Sequence, residues 1–377
     1  MHTVTYACLN IRTPERVGML SSERHEKILR ELEMRGTLTV NGFAEKIGLS
    51  TMTIRRDLTQ LAAQGLLRRV HGGAVPVPSE RQGDTVHRRS RQPLATLGLI
   101  VPTTGYYFPE IIRGAESAAR ELNARLILGV SNYSAEDEQR QLQRMVANSV
   151  DGILLATAGS LEPGSPTFEL LSGLRIPVVL VERSSRVFES VMSDHSYGAE
   201  LALEHLASLG HRRIGLAIAT SPTAPWLRES HERMVAKLGL ETDAPIMEYV
   251  RSVVGAGNNQ KEFAKFLKDC RRTETRAALV LPDEEAITLI NLAEESGLDV
   301  PEDLAIVAYD DEVADLAPVP LTSIAPPKRD VGHAAVAMCM ERLAGKTGSA
   351  VSPALRRVSL APKLIIREST VPGEDAE

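Results

Sequence analysis

Residues 50–74, STMTIRRDLTQLAAQGLLRRVHGGA, carry a helix signal that is followed at once by a hairpin signal. Ser50 is a good N-cap, and apolar residues recur after it at i, i+4 and i+7, which predicts a helix to about Gln64. Gly65 ends that helix, and residues 66–77 can fold back as a hairpin around two adjacent glycines. The helix residues that this spacing turns toward a core are Ile54, Leu58 and Leu61.

The opposite face of this helix carries threonine, methionine and arginine side chains, and the hairpin adds more basic groups. Such groups donate hydrogen bonds to phosphates and guanine edges, and a threonine methyl can contact thymine. A helix of this kind followed by a basic wing suits the major groove of DNA, whereas the alternative is an ordinary solvated helix. The DNA-binding candidates are Ser50, Thr51, Thr53, Arg55, Arg56, Thr59, Arg69 and His71.

Two shorter helices are predicted before this segment, over residues 22–35 and 39–47, and a glycine follows each of them. Residues 22–75 as a whole resemble the winged helix-turn-helix of the DeoR family of bacterial transcription regulators. The segments that carry the resemblance are RHEKILRELEMRG, TIRRDL and RVHGGA. The resemblance implies a DNA-binding domain over residues 21–75.

Length, hydropathy and cysteine usage restrict the class of protein. A chain of 377 residues with 43% hydrophobic residues suits two or three domains, each with its own core. Apolar runs stay well short of the roughly 18 residues that span a bilayer, and the first residues lack a secretory pattern. The cysteines are few and far apart, which indicates a reducing compartment without a disulfide framework or metal-site spacing. They are Cys8, Cys270 and Cys339.

Charge is distributed unevenly along the chain. Residues 1–92 contain 15 lysines and arginines against 9 acidic residues, a net charge of +6, whereas the whole chain has a net charge of −6. The remaining residues therefore have a net charge of −12. A basic head on an acidic body is typical of a nucleic-acid-binding module joined to a second domain.

Three segments are predicted to be connections or tails rather than folded domains. Residues 76–93, PVPSERQGDTVHRRSRQP, are polar, bounded by prolines and without periodicity, which predicts a linker. Residues 1–20 show neither caps nor periodicity, which predicts either a disordered extension or a start codon assigned too far upstream. Residues 371–377 are predicted to form a disordered tail.

From residue 94 onward, short apolar runs alternate with amphipathic helical patterns, which predicts βαβ units and parallel sheets flanked by helices. The segment is longer than one doubly wound sheet usually is, so we expect two lobes. Ligands bind outside the carboxyl ends of such strands. Carboxylates, an arginine and aromatic rings at those ends suit a polyol, although polar residues at strand ends are common in any α/β protein. The strand-end candidates are Tyr106, Tyr107, Phe108, Glu182, Arg183, Asp283, Asp310 and Asp311.

Residues 94–370 resemble the effector domain of the LacI/GalR repressors, which are relatives of periplasmic sugar-binding proteins. The segments GLIVPTTGYYFPEIIRGAE, IPVVLVER and PEDLAIVAYDD carry this resemblance. It implies two lobes joined by crossover strands, an effector in the cleft between them and dimerisation through the body. Trp226 could stack on a sugar or only pack. The effector-binding candidates that follow are Tyr107, Phe108, Glu182, Trp226, Arg228, Asp283 and Asp310.

The chain departs from the LacI/GalR pattern at three places. Pro282 stands where many relatives have asparagine or glycine, and Ala-Pro-Pro at residues 325–327 replaces a polar residue that often reaches the pocket. The DeoR-type head replaces the usual head, and the linker shows no hinge-helix pattern. The first two departures leave the identity of the ligand open, and the third implies a connection between head and body that differs from the family's usual one.

The expected fold class is α/β, with a small winged helix-turn-helix head and a two-lobed body that resembles periplasmic binding proteins. The expected function is a cytoplasmic, nucleoid-associated transcription regulator that represses carbohydrate-use genes and is switched by a small sugar-like effector. Its partners would be operator DNA and a second copy of the chain, as a dimer or tetramer, without a cofactor, metal or membrane. The alternatives are a sugar-binding transport component and a regulator that responds to a phosphosugar or a non-sugar metabolite. An enzyme is disfavoured because the sequence has no nucleophile elbow or Walker loop.

Overall fold

The computed structural model describes residues 24–25, 27–29, 31–32, 37–63, 66–70, 72–76, 94–250, 259–345 and 354–371. The predicted N-terminal extension, nearly all of the predicted linker, the predicted tail after residue 371 and His71 lie outside these residues. The chain divides into two compact units, Met1–Arg91 and Gln92–Glu377. Each unit is described by itself below as the head and the body.

The head is a small helical domain with a three-stranded antiparallel sheet, in the order β1-β3-β2. Described residues from 24 to 32 are helical. Gly48, with a φ of 69°, ends the next helix in the left-handed conformation that glycine adopts at low cost. The remaining elements are β1 (Leu38–Thr39), α1 (Val40–Ile47), α2 (Thr51–Ala63), β2 (Leu67–Val70) and β3 (Gly73–Pro76).

The predicted helix and hairpin of the opening segment are confirmed. Helix α2 buries the apolar residues that the i, i+4, i+7 spacing selects, and β2 pairs antiparallel with β3. These side chains pack with apolar residues of the first helix and of α1 into one core, so the head has its own hydrophobic centre. The largest contributors are Ile28, Leu32, Phe43, Ile54, Leu58 and Leu61.

The first lobe of the body is a six-stranded sheet in the order β14-β8-β7-β6-β4-β5, in which every neighbouring pair is parallel. Helices cover both faces, as buried parallel strands require. Its elements are β4 (Ala95–Val101), α3 (Phe108–Glu121), β5 (Ala124–Val130), α4 (Ala135–Ala147), β6 (Gly152–Leu155), α5 (Pro166–Ser172), β7 (Val178–Val181) and β8 (Glu189–Ser193).

The second lobe is a six-stranded sheet in the order β10-β9-β11-β12-β13-β15, with only the last pair antiparallel. Its elements are α6 (His195–Ser208), β9 (Ile214–Ala219), α7 (Ala224–Leu238), β10 (Ile246–Tyr249), α8 (Gln260–Arg272), β11 (Ala277–Leu281), α9 (Asp283–Glu295), β12 (Ala305–Tyr309) and β13 (Thr322–Ala325). The chain then continues through α10 (Lys328–Gly345), β14 (Arg357–Leu360) and β15 (Lys363–Ile365).

Within the described residues, the chain passes between the lobes at three places. It leaves the first lobe between β8 and α6, returns between β13 and α10, and leaves again between β14 and β15. Each lobe keeps its own apolar clusters on the two faces of its sheet. The predicted two-lobed α/β architecture is therefore confirmed, and the carboxyl ends of both sheets can line one cleft.

Helix α10 packs tightly on α3 of the first lobe at two glycines. A Cβ atom on Gly114 would lie 1.9 Å from the carbonyl oxygen of Arg329, and one on Gly332 would lie 2.0 Å from that of Ile111. Real atoms cannot approach so closely, so these two backbones touch only because glycine occupies both positions. The contact fixes the start of α10, which is also where the chain re-enters the first lobe.

In the part of the chain that the structure describes, no helix is both long enough and apolar enough to cross a bilayer.

Candidate functional site

Helix α2 presents its arginines to solvent. Arg55 and Arg56 are exposed, and their side chains make no hydrogen bond or ion pair with any residue that the structure describes. Met52 beside them is 72% exposed, an unusual position for a large apolar side chain. Thr51 is exposed on the same turn. This face is therefore free to contact a partner rather than occupied by internal bonds.

The other described DNA-binding candidates hold the head together. The Ser50 hydroxyl caps α2 by accepting the N–H of Thr53 at 3.1 Å, and the two hydroxyl oxygens lie 2.8 Å apart. Thr59 donates its hydroxyl to the carbonyl of Arg55 at 2.7 Å and accepts from the Nη1 of Arg69 at 2.9 Å. Strand β2 of the wing is thus tied to α2.

Asp57, inside the TIRRDL motif, has a structural role that the sequence pattern did not reveal. Its carboxylate is buried and accepts from Nε of Arg24 at 2.8 Å and from Nη2 of the same arginine at 3.1 Å. The Nε2 atom of His25 lies 3.4 Å from this carboxylate. The forked pair holds α2 against the first helix, and it raises the pKa of Arg24 through the hydrogen bond with Asp57.

The body contains a cavity of about 510 Å³ between the carboxyl ends of the two sheets. Both lobes contribute aromatic, hydroxyl and charged side chains to its wall, and its volume lies within the range of small-molecule sites. It is lined by Tyr106, Tyr107, Phe108, Tyr133, Glu182, Arg183, His195, Ala219, Thr220, Ser221, Pro222, Thr223, Leu281, Pro282 and Asp310.

Glu182, at the end of β7, is buried and fully engaged within the cleft. One carboxylate oxygen accepts the hydroxyls of Tyr107 at 3.0 Å and Ser193 at 2.8 Å. The other accepts the N–H of Ser193 at 3.2 Å and lies 3.2 Å from Nε2 of His195, whose Nδ1 lies 3.1 Å from the hydroxyl of Tyr309. Burial opposes ionisation, but His195 and Ser193 outweigh it and hold the pKa of Glu182 below its ordinary value. The network links the first lobe to the second through ionised Glu182.

Two carboxylates of the second lobe lie beside a tyrosine of the first. The Tyr106 hydroxyl is 2.5 Å from Oδ1 of Asp283 and 3.1 Å from Oδ2 of Asp310. The other oxygen of Asp283 accepts the N–H groups of Glu312 at 2.6 Å and Val313 at 2.8 Å, so Asp283 holds the loop after β12. Asp283 thus stands behind Tyr106 rather than on the cavity wall.

Asp310 follows β12 in a left-handed conformation, with a φ of 97°. Burial raises the pKa of its carboxyl to about 7, against the attraction of Lys328 and with the repulsion of Asp283. Lys328, at the start of α10, donates to the Asp310 carbonyl and to the Glu312 carboxylate. Its ammonium also lies 5.3 Å from the centre of the Tyr107 ring. One lysine therefore anchors both walls of the cleft near a crossing.

Arg183 lines the cavity with its guanidinium held by main-chain carbonyls. Its Nε donates to the carbonyl of Thr157 at 2.9 Å, and its Nη1 donates to that of Glu182 at 2.6 Å. Burial lowers the pKa of Arg183 against the attraction of Glu182. The side chain is thus a rigid donor at the wall of the first lobe.

Asp311, another of the predicted strand-end residues, points away from the cavity. Its carboxylate accepts from Nη1 of Arg367 at 2.7 Å, a contact between the loop after β12 and the last segment of the body. It does not belong to the cavity lining.

The structure does not bring Trp226 and Arg228 to the cavity. Both lie on α7, where Trp226 is 39% exposed and the Arg228 guanidinium pairs with Glu248 and lies 3.8 Å from Glu232. Leu227 between them is fully buried. Because successive helical residues differ by 100°, the residue that points inward at this turn is a leucine, and Arg228 faces the surface near β10.

Three residues whose side chains connect groups of the cleft were not predicted from the sequence: His195, Tyr309 and Lys328. His195 and Lys328 directly follow two of the interlobe crossings, and Tyr309 is the last residue of β12. The rule that selects strand ends could have found them if the crossings had been located. That rule did select Tyr106, but the sequence did not predict the contact of Tyr106 with the opposite lobe.

Known proteins match both parts of the chain. Residues 24–80 match the DeoR-like helix-turn-helix domain, and residues 203–370 match the periplasmic binding protein-like domain. The arabinose metabolism transcriptional repressor of Geobacillus stearothermophilus is 29% identical over 348 residues, which cover 88% of this chain and 90% of that protein.

A second relative is the HTH-type transcriptional repressor PurR of Haemophilus influenzae (strain PittEE). It is 30% identical over 283 residues, which cover 73% of this chain and 81% of that protein. Among solved structures, the transcription regulator CcpA of Lactococcus lactis has the same fold, with a TM-score of 0.61, 21% identity, and coverage of 73% of this chain and 99% of that one. The chain therefore belongs to the LacI-type transcriptional repressors, with a DeoR-like helix-turn-helix domain as its head.

Proposed function

We propose that this chain represses genes for carbohydrate use by binding operator DNA through its head, and that a small sugar-like effector in the cleft of the body controls this binding. The observation that carries the proposal is the cavity of about 510 Å³ between the lobes, walled by carboxylate, guanidinium and tyrosine groups, in a chain whose α2 leaves Arg55 and Arg56 exposed. A relative that aligns over most of the chain is a repressor of arabinose metabolism. Binding and release suffice for this function, without a chemical step.

The proposed effector contacts follow from the chemistry of the wall. Phe108 and Tyr107 offer aromatic surface to the apolar face of a sugar ring, and the Asp310 carboxyl accepts or donates a hydrogen bond to a hydroxyl. Arg183 donates from the wall of the first lobe. Glu182 acts through Tyr107, because its oxygens are already occupied. These groups suit a compound with several hydroxyls and one apolar face.

The coupling between effector and DNA rests on the interlobe crossings. We expect the lobes to exchange between an open and a closed arrangement, and an effector that contacts both walls favours the closed one. It can shift this equilibrium only by the difference between its affinities for the two arrangements. We propose that a homodimer in the cytoplasm places two heads on a two-fold-related operator, so that a change in the bodies alters the spacing of the heads.

The DNA-binding half of the proposal is tested with the double variant Arg55→Ala and Arg56→Ala. Fluorescence anisotropy with DNA from upstream of the chain's own gene should show loss of specific binding, with an unchanged melting temperature. The control is Arg120→Ala with Arg125→Ala, which removes the same charge from exposed positions of the body. Specific binding retained by the head variant would contradict the assignment.

The effector half is tested by thermal shift against a panel of monosaccharides, sugar phosphates and non-sugar metabolites such as purines. We expect a neutral monosaccharide to stabilise the wild-type chain, and Asp310→Asn to abolish that shift while DNA binding by the free protein is retained. Stabilisation by sugar phosphates or purines alone would favour the alternative effector classes. A transport role is disfavoured because the relatives above are repressors.

A further inference from the structure

Tyr106 crosses the cleft. It belongs to the loop between β4 and α3 of the first lobe, yet its hydroxyl bonds to the carboxylates of Asp283 and Asp310 in the second, which are 177 and 204 residues away in sequence. The ring lines the cavity and is only partly exposed. Of the described cavity tyrosines, Tyr107 instead bonds within its own lobe, to Glu182.

The backbone at Tyr106 adopts a conformation that tyrosine rarely occupies. Its φ is 51°, in the left-handed region, where a residue with a Cβ atom is uncommon. The loop before it is held by a bond from the N–H of Gly105 to the hydroxyl of Thr103 at 3.1 Å. Uncommon backbone conformations persist where surrounding contacts compensate for their cost, and the bonds of the Tyr106 hydroxyl to the opposite lobe are contacts of that kind.

Asp283 and Asp310 both lie within hydrogen-bond distance of one tyrosine hydroxyl. The negative charge of Asp283 raises the cost of ionising Asp310, and a hydroxyl between the two carboxyl groups relieves it. A protonated Asp310 can donate to the tyrosine oxygen while the tyrosine donates to Asp283, so one hydroxyl bonds to both carboxyl groups at once. Tyr106 therefore supplies in the protein itself the kind of contact that a sugar hydroxyl makes with carboxylates.

We propose that Tyr106 is an interlobe clasp, which holds the second lobe against the first through Asp283 and Asp310 before any effector binds. The clasp uses only one oxygen of Asp310. Oδ1 of Asp310 makes no hydrogen bond with the described residues, and Asp310 lies on the cavity wall, so an effector can bind beside the clasp. The clasp thus favours the closed arrangement in advance and reduces the closing that the effector must drive.

Loss of the hydroxyl is expected to shift the lobes toward an open arrangement. A hydrogen bond to a charged group contributes enough that its removal should lower the ratio of closed to open chains about tenfold. An effector that binds only the closed arrangement should therefore bind Tyr106→Phe more weakly. Its affinity should fall by the same factor as the fraction of chains that are closed.

The test measures the distance between the lobes in the full chain without effector or DNA. Spin labels at Glu136→Cys on α4 and Glu229→Cys on α7, both exposed positions, report the separation by double electron–electron resonance in a Cys8→Ser background. The two other cysteines are buried and therefore poorly accessible to the label.

Tyr106→Phe should lengthen or broaden the distance distribution, and Tyr106→Ala should do so at least as much. The matched control is Tyr197→Phe, which removes the hydroxyl of a 42% exposed tyrosine on α6 and should leave the distribution as in the wild type. Distributions for both Tyr106 variants that superimpose on the wild type would overturn the clasp. The inference rests on the proposed function only for its effect on effector affinity, and the distance measurement succeeds or fails independently of DNA and effector binding.

Discussion

Replacing Asp310 with asparagine is expected to change how the stability of the body depends on pH. The Asp310 carboxyl is buried after β12, and burial raises its pKa from 3.8 to about 7, against the attraction of Lys328 and with the repulsion of Asp283. The folded chain therefore keeps a proton that the unfolded chain releases near pH 4. The stability that this proton contributes is fully present below about pH 4 and is lost as pH rises through about 7.

The expected size of this effect follows from the two pKa values. Between them, each pH unit changes the free energy of unfolding by up to about 1.4 kcal/mol, because the unfolded state binds fewer protons than the folded one. Over the practical range from pH 5 to pH 7 the wild type should lose about 2 kcal/mol relative to Asp310→Asn, whose amide does not titrate. Above about pH 8 the difference between the two proteins should be constant.

The assay is urea unfolding at pH 5, 6, 7 and 8, followed by the fluorescence of Trp226. This is the only tryptophan in the chain, and it lies on α7, so it reports unfolding of the lobe that contains Asp310. Other titratable groups are common to both proteins, so the difference in unfolding free energy isolates Asp310 and its neighbours. A difference that stays constant from pH 5 to pH 7, or that rises in favour of the wild type, would refute the reasoning.

Three further substitutions test other contacts. Gly114→Ala should lower the free energy of unfolding by at least about 1–3 kcal/mol, because the new Cβ would meet a backbone carbonyl of α10. The control is Gly345→Ala, whose new Cβ would have no atom within 4 Å, so the same urea titration should show little change. Asp57→Asn should destabilise the head by about 2–4 kcal/mol, since it breaks the buried pair with Arg24, and amide hydrogen exchange of α2 should show it. Arg228→Ala should lower the free energy of unfolding by less than about 1 kcal/mol, because the ion pairs of Arg228 are exposed. The variant should also keep any effector-induced thermal shift, and loss of that shift would show that Arg228 contacts the effector.

The head shows how far a local pattern reaches. The burial of Ile54, Leu58 and Leu61, and the exposure of Arg55 and Arg56, follow from the 3.6-residue period alone, because both depend only on angles within one helix. The role of Asp57 does not follow from that period, since its partner lies 33 residues earlier on another helix.

The cleft shows the same division. The rule that parallel strands end at one edge selected Tyr107, Phe108, Glu182 and Asp310, and all four line the same cavity in the structure. Their role in holding an effector stays a prediction. The resemblance to the LacI/GalR repressors placed Arg228 in the same set. A shift of one residue on a helix turns a side chain by 100°, however, and tertiary packing turned Leu227 inward instead.

The sequence by itself determined the two kinds of domain, the surface of α2 and the strand ends that border the cleft, because these depend on periodicity and on chain order. Only the tertiary structure decided which polar groups pair. Tyr106 reaches Asp283 across 177 residues, and Asp283 turns to the loop after β12 rather than to the cavity. Such pairings depend on atomic distances and on the direction of each donor, which are set when the two lobes pack.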